Sequence, residues 1–130
     1  MAAVRISDQR ASGRVEAAWV LFGLTDLVTV RDLIRSRVRE EVARFNLSER
    51  TTFSGLVQPT ETEAVANGYR LTRSRALDWE RQADIAEQAF MANGFFMLVD
   101  GVQVEELDHL IDLRTDPEVG FIRLVPLVGG

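Results

Sequence analysis

Apolar and polar positions alternate at the start of the chain. In "MAAVRIS" Val4 and Ile6 point the same way, and in "VEAAWVLF" Val15, Ala17, Trp19 and Leu21 share one face. That period of two predicts two strands. The intervening "DQRASGR" supplies turn chemistry, with Gly13 free to take a positive φ, so the pair reads as a β-hairpin. The period then lengthens. Val30, Leu33, Ile34, Val38, Val42 and Phe45 recur at spacings of three and four, which predicts an amphipathic helix. Thr29 is its expected N-cap with Asp32 completing a capping-box-like pair, and Asn46 is expected to close it in a left-handed conformation.

Between residues 47 and 75 the pattern weakens. "PTETEAVANG" predicts a short helix with Thr60 as N-cap, Glu63 completing a capping box and Asn67-Gly68 as the stop. "LDWERQADIAEQAFMANG" is clearer: Asp78 caps, Trp79, Ala83, Ala86 and Phe90 form one stripe, and Gly94 stands where a C′ glycine belongs. Trp79 and Phe90 are expected in the core. "GFFMLVDGVQV" reads as strand, Asp100-Gly101 turn, strand. "EELDHLIDL" reads as a short connecting helix or 3₁₀ turn. "VGFIRLVPLVGG" is the last strand, with Phe121 and Ile122 on opposite faces and Pro126 ending ladder pairing because it has no N–H.

Composition narrows the chemistry. The chain has 130 residues and no cysteine. Thiol catalysis, thioester carriage on the protein itself, disulfides and cysteine zinc sites are therefore excluded. A single domain spanning 1–130 is the expectation, with neither a signal-peptide h-region nor a run of transmembrane length, and a cytoplasmic location. Net charge is −5, which disfavours nucleic acid and anionic membrane as partners. All fifteen basic residues are arginine. Arg31, Arg35 and Arg39 form a stripe on the outer face of the first helix, readable as a solvated face or as a docking surface.

His109 is the only histidine, so neither a histidine metal cluster nor a catalytic pair with a second histidine can form. It reads as structural. Asp108 and Asp112 would lie one turn apart on a helical connector, without a matched acid and base. The phosphate-loop and dinucleotide glycine motifs are absent. These observations point away from an enzyme, with no catalytic residue, metal or bound cofactor of its own.

The order strand, strand, helix, insertion, strand, connector, strand, Gly-Gly resembles the ubiquitin-like β-grasp family. That family includes the small sulfur carriers and the bacterial ubiquitin-like modifiers. The resemblance rests on the first hairpin, "TVRDLI" at 29–34, "LVDGVQV" at 98–104 and "FIRLVPLVGG" at 121–130. It implies an α+β β-grasp fold, with a helical insertion at about 47–93 between the main helix and the third strand. The insertion is a departure from the family pattern and leaves partner surfaces on that side unassigned.

The resemblance also implies where the chemistry lies. An exposed tail, 125–130, would carry the reactive carboxylate on Gly130. Gly129 and Gly130, lacking Cβ atoms, would thread a narrow channel of an adenylating activating enzyme that uses ATP. Val125, Pro126, Leu127 and Val128 would form the partner-binding segment, with Pro126 holding it extended. Three fates stay open: amide conjugation to target proteins, with a conjugating enzyme and a deconjugating peptidase as further partners; a thiocarboxylate, as in sulfur carriers; or a non-catalytic assembly module. A lysine-free modifier would offer only its α-amine for building polymers of itself. The elaborated, acidic body suits recognition by several proteins and favours the modifier.

Overall fold

Val4, Ile6 and Asp8 are buried at alternate positions along β1 (Ala2–Gln9), the inward phase of a half-buried strand. β1 pairs antiparallel with β2 (Val15–Leu24) and parallel with β10 (Glu118–Arg123). β10 pairs antiparallel with β7 (Phe95–Val99), which pairs with β8 (Val102–Val104). The mixed five-stranded sheet thus has the order β2-β1-β10-β7-β8. With two α-helices among the described residues the protein is α+β. This computed structural model describes residues 1–124.

The described residues divide into two compact units, one formed by residues 1–33 with 89–124, the other by residues 34–88. In the first, Val4, Ile6, Leu21, Met97, Val119 and Phe121 are buried. Phe90, at the end of the second helix, lies 5.8 Å from Phe95, which lies 6.0 Å from Phe121. The Asp100-Gly101 turn has positive φ at both residues (49° and 79°), the geometry whose twist suits a two-residue hairpin. Asp100 Oδ1 also accepts from the Glu118 N–H, tying this turn to the start of β10.

Of the short helix or 3₁₀ turn expected over 105–113, a 3₁₀ turn forms only at its end, Leu113–Thr115, and β9 (Leu110–Asp112), paired with β3 (Leu27–Thr29), takes the place of the rest. Buried Val28 faces buried Ile111 across that pair, so alternation wins over the helical spacing of Leu107 and Leu110. His109 is exposed, and its carbonyl accepts from the Val30 N–H. Asp108 and Asp112 go their separate ways, to Arg31 and Arg114.

α1 (Val30–Leu47) begins at the expected cap. The Asp32 N–H donates to Thr29 Oγ1 at 3.1 Å, and the Thr29 N–H donates to Asp32 Oδ2 at 3.2 Å. Its buried positions in the second unit are Ile34, Arg37, Val38, Val42 and Phe45. Asn46 stays helical and does not form the expected left-handed stop. Its amide instead donates to the Leu77 carbonyl and accepts from the Leu77 N–H, both at 2.9 Å.

The helix expected from Thr60 to Gly68 is a β-hairpin, β5 (Thr62–Val65) and β6 (Gly68–Leu71), with β4 (Thr52–Phe53) on the other side of β6. So short a helix would not repay its nucleation. Thr62 and Val65 are β-branched and suit strands. Glu63 completes no capping box but pairs across the hairpin with Arg70 at 2.5 Å. Gly68 has φ +147°, a conformation that glycine alone adopts readily. The insertion is therefore as much β as helical.

α2 (Trp79–Met91) is capped by Asp78, whose Oδ1 accepts from the Glu80 N–H at 3.0 Å. Its left-handed C′ residue is Asn93 (φ 60°) and not Gly94. The Asn93 N–H bonds the Phe90 carbonyl and the Gly94 N–H bonds the Ala89 carbonyl, a Schellman closure shifted by one residue from the expectation.

Candidate functional site

The expected site residues Val125, Pro126, Leu127, Val128, Gly129 and Gly130 lie outside the described residues. What the structure places is the root from which that segment continues. β10 lies between β1 and β7, so the chain reaches its last described residues along a strand held on both sides. Ile122 is in register with Gln9 and with Phe96, and Arg123 with Phe95. Phe121 is fully buried, Ile122 half-buried and Leu124 50 % exposed, so the chain emerges within three residues.

Because β1 and β10 are parallel, the end of β1 and the start of β2 share this end of the sheet. Arg123 Nη1 lies 3.6 Å from Oδ2 of Asp8, which is only 5 % exposed. A buried carboxylate is costly unless charge and hydrogen bonds compensate it. Arg123 supplies charge compensation while staying half-buried itself, and links the end of β10 to the end of β1. Alongside, Arg10 donates from Nε to Glu16. That hydrogen bond holds the Glu16 carboxyl below its ordinary value; burial opposes it, and the charges of Arg10, Arg123 and Arg14 add to it. The root of the segment is thus a collar of two arginine–carboxylate pairs, Arg123 with Asp8 and Arg10 with Glu16.

The pairing of Asp8 with Arg123 is not among the expectations from the sequence. The available signal was a charged residue in phase with Val4 and Ile6, at a position the alternation reserves for the interior. The collar contains no nucleophile paired with a base. Among the described residues no group of three or more His, Cys, Asp or Glu could hold a metal ion. What the collar does is tie the end of β10 to the end of β1.

The arginine stripe of α1 has internal partners. Arg31 pairs with Asp108, and Arg35 with Asp84 at 2.9 Å and Glu87 at 2.5 Å. The hydrogen bonds that Arg35 donates to Asp84 and Glu87 raise its pKa above the ordinary value. Arg39 stands 5.1 Å and Arg35 5.6 Å from the ring centroid of Trp79. Trp79 is accordingly half-buried beneath two cations, whereas Phe90 is in the core as expected.

No protein-family model, curated protein or solved structure matches this chain. No described helix is long and apolar enough to cross a membrane.

Proposed function

We propose that the protein is a ubiquitin-like modifier of the β-grasp type. In this reading the Gly130 carboxylate is adenylated by a partner enzyme at the expense of ATP and then transferred to amines of target proteins. The observation that carries the reading is the placement of β10. The strand leading to the apolar-Pro-apolar-Gly-Gly segment is central, parallel to β1 and pinned at Arg123, in the order β2-β1-β10-β7-β8. That sheet order, with α1 following the first hairpin and the short β3, supports a β-grasp body.

Transfer chemistry needs two things from such a protein. The end of the chain must reach an enzyme's active site, and the body must stay folded while it does. A carboxylate is a poor electrophile, and conversion to the acyl-adenylate with loss of pyrophosphate makes it a good one. Attack by a thiol and then an amine expels AMP and afterwards the thiol. The catalytic groups for these steps belong to the partners; Gly129 and Gly130 offer a backbone without Cβ atoms to a narrow channel.

The test is intact and peptide mass spectrometry on protein purified from its native host. A C-terminal peptide amide-linked to another protein's amine supports the modifier. The same peptide with one oxygen replaced by sulfur would establish a sulfur carrier instead. A free carboxylate alone, under conditions where the protein is functioning, would favour a non-catalytic assembly module.

A further inference from the structure

The two edges of the five-stranded sheet are built differently. β8 is three residues long and runs directly into Glu105 and Glu106, the kind of short, charged edge that resists further pairing. β2 is ten residues long, contains no proline and carries a single charge, Glu16. Among the described residues no strand pairs with its outer edge. Val20 is 38 % and Phe22 73 % exposed, and Ala18 is exposed beside them at the same period-two phase. A long, apolar, unblunted edge is a template for another strand.

We propose that this edge pairs antiparallel with β2 of a second copy of the chain, with Val20 opposite Val20 of the second copy. The strand's own residues select that occupant and that register. Centring on Val20 sets the large exposed Phe22 against the small Ala18 of the second copy, twice by symmetry, and joins the two apolar rows. Centring one residue earlier would set Phe22 against the Glu16 carboxylate. Centring one residue later would draw in Gly23, whose φ of +80° and the register shift beside it mark the end of regular pairing.

The window from Ala18 to Phe22 is small. Five residues and three apolar side chains per copy fall short of the roughly 800 Å² per partner of a standard stable interface. Association is therefore expected at micromolar or higher concentration. Each copy carries a net charge of −5, so added salt should strengthen it by screening their repulsion.

The absence of cysteine gives a direct test in the full chain. Val20→Cys and Val102→Cys each introduce one thiol at an exposed strand position, one on each edge. Opposed residues of an antiparallel pair have Cα atoms about 4.5–5.5 Å apart, within disulfide reach. Under mild oxidation at about 100 μM, Val20→Cys should form covalent dimers at least tenfold faster than Val102→Cys. Sedimentation velocity of the unmodified chain should show a concentration-dependent dimer that Phe22→Lys abolishes and Val102→Lys leaves intact. A chain monomeric to about 1 mM, equal crosslinking at both positions, or a dimer that survives Phe22→Lys would overturn the proposal. Circular dichroism of Phe22→Lys, whose side chain is mostly in solvent, checks that any loss of the dimer is not loss of the fold.

Discussion

Residues 1–33 with 89–124 differ from residues 34–88 in how their order is encoded. In the first unit four strands, β1, β2, β7 and β10, have five to ten residues, long enough for alternation to declare itself: Val4 and Ile6, Met97 and Phe95, Val119 and Phe121 are each buried at a spacing of two. In the second unit the strands have two to four residues, and much of the order rests on single polar contacts. Asn46 grips the Leu77 backbone, Gln82 Nε2 donates to the Val57 carbonyl at 2.8 Å, and Glu41 Oε1 accepts from the Leu56 N–H at 3.3 Å. Periodic burial can be read along a sequence. Contacts of this second kind join residues far apart and leave no local period.

The sharpest test of that contrast is a core truncation in the first unit. Phe121 has no exposed surface and sits at the centre of the sheet. Phe121→Ala should cost about 3–5 kcal/mol, read as a shift in the chemical-denaturation midpoint at unchanged slope. An unaltered midpoint would mean that the alternation does not report the core.

A glycine is the corresponding weak point of the second unit. A Cβ on Gly68 would meet the Phe53 carbonyl oxygen at 2.5 Å, and its φ of +147° disfavours any side chain. Gly68→Ala should destabilise by about 1–3 kcal/mol from backbone strain alone. Faster amide exchange in β4–β6 would locate the damage; a fully protected hairpin would show that the order of this unit does not depend on that approach.

What is legible in the sequence follows the locality of the cause in both units. The first hairpin, the Thr29–Asp32 cap, the start of α2 and the Asp100-Gly101 turn were legible because each is a local pattern with a local cause. The β5–β6 hairpin was misread because "TETEAVANG" carries a capping-box spacing as well as a turn signal, and Glu63 chose a cross-strand arginine over the backbone. Asn93 displaced Gly94 at the end of α2 because asparagine also tolerates the left-handed conformation. In the candidate site the Asp8–Arg123 pair is not legible, since its members are over a hundred positions apart in sequence and meet only through the parallel pairing of β1 and β10.

Smaller effects sharpen the comparison further. Thr29→Ala removes the acceptor for the Asp32 N–H and should cost about 1 kcal/mol, measured by thermal or denaturant unfolding. No loss would mean that the contacts of the Val30 and Arg31 N–H groups with residues 107–109 already suffice to start the helix. The Glu16 carboxyl is held below its ordinary value in the folded state, so its contribution is complete above about pH 4.3, the unfolded value, and fades as the pH falls through the lower folded value. Glu16→Gln should therefore lower stability slightly at pH 7, by under about 1 kcal/mol for so exposed a pair, and flatten the acid limb of the stability curve. An acid limb identical to that of the unmodified chain would remove Glu16 from the collar's electrostatics.

The central claim is that the body is a handle and the Gly130 carboxylate the reactive group. Deleting Gly129 and Gly130 tests it most directly, with melting temperature and covalent adducts in the native host measured on the same protein. The account predicts an unchanged melting temperature, since glycines have no side chain to bury, together with complete loss of adducts. Adducts that persist after the deletion would contradict it.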